Sequence, residues 1–402
     1  MNLYYNTFED YSTNFRNFLI FSCPFLSKPC LNIMPEVLTS MASSLSSNTF
    51  DIALGCKGLK FDFIQPDSVY RRIRRFFNNP NYNPYLIYDS IIKHVISKFK
   101  CKHSDGRIHI VCDHMFKSED FVTFMITLRL GKKSVPLWFR CFDEGHSSPF
   151  AFKEELITEG IKYVSDLFKD SNYQLIFLAD RWFNSVSLLD YINSLGHTYV
   201  IRSKSGSKVK YFDSKEKHFI WSEISKLFHY VHKATYYNNI SYTRSELVTN
   251  VVFSAISSVS IKEKTSEDQV EEPWILLTNG DVKRAIKDYH YRFGAIEFLF
   301  KDQKSNGFDL QKSNTNFRSL QSYSMMYTCM CICILFLSCV GTYYTRHKGK
   351  FYKDVKIRYF SVVKGKHKRR MSIFQVGYTL FKLARDSLKN IRIPFTFVLT
   401  DV

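Results

Sequence analysis

Three acidic residues, far apart in the chain, end or interrupt apolar segments where a lone charge needs a reason. Asp113 closes Arg-Ile-His-Ile-Val-Cys-Asp at 107–113, a run that alternates and is β-branched enough to be a strand. Asp180 closes Gln-Leu-Ile-Phe-Leu-Ala-Asp at 174–180, a nearly continuous apolar run of the kind a strand buried on both faces requires. A carboxylate left unpaired in such a setting is costly, so both are expected at a sheet rim beside a cation or a metal ion. The third is Glu297, within the stretch 289–304. From Ala295 onward Ile296, Leu299 and Phe300 fall at helical spacing, and Glu297, Lys301 and Lys304 stand at i, i+4 and i+7 on one face. Alone, that face is an ordinary solvated Glu-Lys pair. Together with the two aspartates it offers three hard oxygen donors, enough for a pair of magnesium ions with positions left for phosphate and water, and lysines suited to the phosphates.

These residues resemble those of the DDE transposases of bacterial insertion sequences, in the group whose third acidic residue lies in a Tyr, Arg, Glu, Lys signature. The matching positions are Tyr289, Arg292, Glu297 and Lys304, with Lys301 as an additional basic position. The step from Arg292 to Glu297 carries one residue more than the family pattern. That is a rotation of about 100° on a continuous helix, unless Gly294 marks a bulge or the true helix start. Asp180-Arg181-Trp182-Phe183 is similar to the second-aspartate motif, with Trp182 where glycine is common, and Trp274-Ile275-Leu276-Leu277-Thr278 is similar to the strand before the signature helix. The resemblance spans about 60–345. It implies a ribonuclease H-like catalytic core with Asp113, Asp180 and Glu297 as catalytic metal ligands for two Mg2+ ions, for which Mn2+ substitutes. It further implies Tyr289, Arg292, Lys301 and Lys304 on phosphates of the element end, and Trp274 stacked on a flipped base.

Composition agrees with a polyanionic partner: 56 Lys and Arg against 37 Asp and Glu give a formal charge of +19. Export is not expected, because Phe18 to Phe21 is short and follows Glu9, Asp10 and Arg16. The ten cysteines show no Cys-x2-Cys spacing, and Cys329, Cys331 and Cys333 are expected as small buried residues in a reducing cytosol. The apolar run 325–340 is shorter than the ~20 residues a membrane helix needs, which favours a core helix.

The elements that must position the acidic residues follow in order. Residues 1–33 show no clear period. A helix is expected over 34–46, starting near Pro35, and another over 66–77, where Arg71, Arg72, Arg74 and Arg75 interleave with Val69, Ile73, Phe76 and Phe77. The second has an apolar face and a cationic face suited to docking on DNA. A further helix covers 85–99. Strands are expected at 107–113, 121–130, 134–141, 174–180 and 198–202, with helices at 150–169 and 184–195: a mixed sheet covered by helices. Residues 206–273 read as a β-rich insertion ending in a charged link, Lys262 to Pro273. An apolar helix at 319–341 supports the signature helix, and a basic stretch, Lys364 to Arg370, follows Lys353, Lys356 and Arg358.

The expected organisation is therefore α/β, with a helical DNA-binding region over 1–100, a ribonuclease H-like core over 101–205 and 281–345, the β-rich insertion at 206–280 between its parts, and a basic C-terminal region over 346–402. The expected function is metal-dependent cleavage at insertion-sequence ends and joining of the 3′ ends to target DNA. Its partners are the terminal inverted repeats, target DNA and a second protomer in a synaptic homodimer, in a bacterial cytoplasm at the nucleoid and without membrane. The alternatives are a non-catalytic DNA-binding protein, either a decayed transposase or a repressor, and a ribonuclease H-like nuclease without strand transfer.

Overall fold

The computed structural model of the chain describes residues 3–5, 8–56, 64–101, 105–117, 121–131, 133–143, 153–213, 216–228, 233–245, 247–255, 273–304, 307–310, 317, 319–346, 360–363, 366–369, 372–386 and 393–399. The first part of the chain forms β1 (Leu3–Tyr5), α1 (Phe8–Ser22), α2 (Lys28–Ser44), α3 (Thr49–Gly55), α4 (Pro66–Phe77) and α5 (Pro84–Ile96). Next come β2 (Arg107–Lys117), β3 (Phe121–Leu130), β4 (Lys133–Asp143), α6 (Lys153–Leu167), β5 (Gln174–Ala179), α7 (Val186–Ser194) and β6 (Thr198–Arg202). They are followed by β7 (Lys208–Asp213), β8 (His218–Glu223), β9 (Thr235–Tyr242), β10 (Leu247–Phe253), β11 (Ile275–Thr278), α8 (Val282–His290) and α9 (Ala295–Gln303). The last are α10 (Leu320–Arg346), β12 (Phe360–Val363), β13 (Lys366–Arg369), α11 (Ile373–Asp386) and β14 (Ile393–Phe395). The fold is mixed α/β, and β2 to β11 belong to one mixed ten-stranded sheet in the order β4-β3-β2-β5-β6-β11-β10-β9-β7-β8. The chain divides into two compact units.

The first unit comprises Met1–Lys102, His114–Ser147 and Ala295–Val402. At its centre is α10, apolar all round, and such a helix is stable only when covered on every side. It extends beyond the expected 325–340 run and is long and apolar enough to cross a membrane, yet the whole of its apolar window is buried within the protein. Helices α2, α4, α5 and α11 and strand β4 cover it. Against α11 the approach is backbone to backbone: a Cβ on Gly341 would lie 1.8 Å from the Ile373 carbonyl oxygen, and one on Gly377 1.9 Å from that of Leu337. Phe15, Phe336, Phe381, Phe395 and Phe397 close one flank with edge and tilted ring contacts.

Local pattern accounts for most of these elements. In α4, Val69, Ile73, Phe76 and Phe77 are buried while Arg71, Arg72, Arg74 and Arg75 are exposed, so the expected apolar and cationic faces form. Helix α2 starts at Lys28, ahead of the expected start near Pro35, because Pro29 already occupies its first turn. Pro35 then sits inside the helix at the loss of one backbone hydrogen bond, and the burial of every residue from Met34 to Ser43 outweighs that loss. Helix α1 falls in the stretch where no period was recognised, although Tyr11, Phe15 and Leu19, all buried, recur every fourth residue.

The second unit comprises His103–Asp113 and Ser148–Gly294. Its β2 residues, β5 and β6 run parallel, with Cys112 opposite Ala179 and Ala179 opposite Ile201. Strands β6, β11, β10 and β9 continue antiparallel, and hairpin β7–β8 joins through β9. The strands expected at 107–113, 174–180 and 198–202 and the helices at 150–169 and 184–195 are β2, β5, β6, α6 and α7, their ends moved by a few residues. Most of the charged link Lys262–Pro273 lies outside the described residues, as do Lys353, Lys356, Arg358, Lys364 and Arg370. Lys366–Arg369 forms β13, paired with β12.

Candidate functional site

In the second unit the two aspartates come together. Register pairs Cys112 with Ala179, so Asp113, within β2, and Asp180, just past the end of β5, are the next positions where the parallel pairing of the two strands stops. Arg292 Nη2 lies 2.9 Å from Asp113 Oδ2 and 3.7 Å from Asp180 Oδ2. The guanidinium is buried and both carboxylates are mostly buried. Asp180 also caps a turn of 3-10 helix, Arg181–Phe183, its Oδ1 accepting from the Arg181 backbone N–H at 2.6 Å. Beside it the Trp182 ring stands exposed. Burial first, and the Asp113 carboxylate second, push the thiol of Cys112 far up, with Arg292 acting in the opposite sense.

Helix α8 carries Arg292 to this position. It is capped by Asp281, whose carboxylate accepts from the Lys283 backbone N–H at 2.9 Å, and it buries Ala285, Asp288 and Tyr289. Asp288 and Arg292 are four residues apart, and in β2 the alternation sets Arg107, His109 and Asp113 on one face. The charges interlock: Asp288 accepts from Arg107 Nη2 at 2.5 Å and pairs with His109 Nε2 at 2.9 Å, while Arg292 reaches Asp113. Sequence reasoning missed Asp288 and set His109 aside; the signal available was the matching of alternate charges on a strand to a four-residue charge spacing downstream.

The signature stretch is interrupted. Gly294 has φ +78°, a left-handed conformation that favours glycine, and it separates the turn after α8 from α9. Tyr289 and Arg292 therefore belong to the second unit, whereas Glu297, Lys301 and Lys304 belong to the first. On α9, Glu297 and Lys301 are exposed, and Lys304, just past its end, is half-buried with its ammonium pKa lowered by that burial. The buried carboxylate of α9 is Asp302, which sequence reasoning did not single out. It pairs with Lys133; burial raises the Asp302 pKa, with Lys133 opposing, and lowers that of Lys133.

Three expected contacts take a different form. Arg292, expected on phosphate, is on the aspartates. Trp274, expected to receive a base, is fully buried, its ring stacked on Phe293 at 5.1 Å between centroids and met edge-on by Tyr289 and His290. Tyr289, expected to offer its hydroxyl to phosphate, is equally buried in that cluster. The physical reason is shared: Trp274 immediately precedes β11, Tyr289 lies on α8 and Arg292 just beyond that helix, and packing α8 on the sheet covers them.

Among the described residues no group of three or more His, Cys, Asp or Glu side chains is placed to hold a metal ion. Asp113 and Asp180 are by their chemistry a fit for part of such a site, as two hard oxygen donors on neighbouring strands that already share one cation. No protein-family model matches the chain, and no curated protein matches its sequence.

Proposed function

We propose that the protein is a DNA transposase of the DDE type, cutting phosphodiesters at the ends of an insertion element and joining the 3′ ends to target DNA. The observation that carries this reading is the approach of Asp113 and Asp180, at adjacent positions of neighbouring parallel strands, to one cationic group. Asp113 lies on the first strand of the ten-stranded sheet in chain order and Asp180 just past the end of the fourth, in keeping with a ribonuclease H-like core. In this reading Asp113 and Asp180 would be the carboxylates of the second unit that hold Mg2+ or Mn2+. Bound there, the ions supply Lewis-acid activation of water and neutralise the leaving 3′ oxygen. Lys301 and Lys304 neutralise phosphates of the element end. The exposed arginine face of α4 tracks the duplex backbone, so its contribution weakens as salt rises. The reaction belongs to a homodimeric synapse in the bacterial cytoplasm.

A second reading has its own support. One buried guanidinium on both aspartates is also what a purely structural ion cluster presents, and it suits a DNA-binding protein that has lost or never had catalysis. The deciding experiment incubates the protein with duplexes bearing its own element ends in Mg2+ or Mn2+ and scores nicks and joined products. The transposase reading expects metal-dependent nicking that Asp113→Asn abolishes while end binding persists. End binding by the unaltered protein without metal-dependent cleavage overturns it.

A further inference from the structure

The hairpin β7–β8 in the second unit reverses the usual arrangement of a half-buried pair of strands. Across its ladder Lys208 faces Glu223, Lys210 faces Trp221 and Phe212 faces Phe219, so these six side chains share one face. The other face carries Val209, fully buried, and half-buried Ile220. A strand pair with one face inward places polar residues outward. Here the outward rings of Phe212, Phe219 and Trp221 are 55%, 63% and 44% exposed. They form a patch: the phenylalanine rings meet edge to face at 5.5 Å, and Lys210 Nζ lies 5.9 Å over the Trp221 ring.

Exposed aromatic clusters of this kind mark an interaction surface, and the charges on the hairpin say which kind. Residues 204–227 contain six lysines and three acidic residues. On the aromatic face itself the one acid, Glu223, is engaged by Lys208 at 3.1 Å, and the turn carries exposed Lys217. Lysine is depleted at the centres of protein–protein interfaces. Rings interleaved with lysines instead suit bases that offer their π faces with a phosphate within reach of each ammonium. In a duplex those faces are already stacked on neighbouring bases; in a single strand they are open.

We propose that the outward face of hairpin β7–β8 is a binding site for single-stranded nucleic acid. Phe212, Phe219 and Trp221 stack on bases, and Lys208 and Lys210 meet the backbone. The site stands apart from Asp113 and Asp180 in its residues and requires no metal, so it holds or fails independently of the catalytic reading.

The test is fluorescence anisotropy of the full chain with a labelled 20-nucleotide single strand and with the corresponding duplex, both at fixed salt. The double substitution Phe219→Ser, Trp221→Ser is expected to weaken single-strand binding at least tenfold, since each base stacked on an aromatic ring contributes about 1–3 kcal/mol. Duplex binding stays within twofold. Unchanged single-strand affinity, or an equal loss for strand and duplex, overturns the proposal. So does a shift from dimer to monomer in the variant with strand affinity retained, which would make the face a contact with a second copy. Should the variant not fold, photo-cross-linking of the unaltered protein to an iodouracil-substituted strand decides: adducts mapping to 210–221 support the site, and their absence there overturns it.

Discussion

Arg292 and Asp113 meet side chain to side chain, Nη2 to Oδ2 at 2.9 Å, although 179 residues separate them in the chain. Their pairing makes the guanidinium the counter-ion of an aspartate pair and ties the turn after α8 to β2.

Removing that counter-ion leaves two largely buried carboxylates facing each other. Arg292→Ala is expected to destabilise the protein by about 2–4 kcal/mol, the range for a broken buried ion pair reduced for the partial exposure of Asp180. Arg292→Lys restores part of this, because an ammonium retains the charge without the reach and planarity of the guanidinium. Urea denaturation of the three proteins checks the order; equal midpoints would reject it.

Asp288 holds two partners at once, Arg107 and His109; Asp288 and His109 are buried and Arg107 is mostly covered. The substitution Asp288→Asn leaves the Arg107 charge without its carboxylate, so a loss of about 3 kcal/mol is expected. The thermal midpoint should fall accordingly, and the double variant with Arg107→Met should recover stability relative to Asp288→Asn alone. A double variant that melts no higher than the single one would show that the charges do not act as a pair.

Alanine ordinarily stabilises a helix relative to glycine by about 1 kcal/mol. At Gly341 the sign is expected to reverse, because a Cβ 1.8 Å from the Ile373 carbonyl oxygen forces α10 and α11 apart. Gly341→Ala and Gly377→Ala should each lower stability by at least about 1–3 kcal/mol in chemical denaturation. Stabilisation by either would show that the helices cross less closely.

Burial lowers the pKa of His197, whose Nε2 lies 2.8 Å from Ser165 Oγ. The folded state therefore favours the neutral ring, while the unfolded chain takes up a proton near its ordinary value of about 6.5. The stability tied to His197 is complete above that value and is lost as pH falls through the lower folded one. Urea midpoints measured from pH 8 to pH 5 should decline on the acid side, and His197→Gln should flatten the decline. An unchanged slope in the variant would exclude this residue as its source.

What was legible in the sequence was whatever one segment decides by its own period. The alternation of 107–113 and the apolar run of 174–180 specify the strands that carry Asp113 and lead into Asp180, and the arginine spacing of 66–77 specifies a helix with four exposed guanidinium groups. The fourfold spacing of Tyr11, Phe15 and Leu19 was equally local, though polar residues between them obscured it. Only the tertiary structure decided that Arg292 meets the aspartates, that Asp288 joins Arg107 and His109, and that Trp274 lies under α8. Periodicity determines which side of a strand or helix a residue takes. Which distant surface that side then meets depends on how the helix docks on the sheet, a choice set by packing and charge pairing between segments some 180 residues apart.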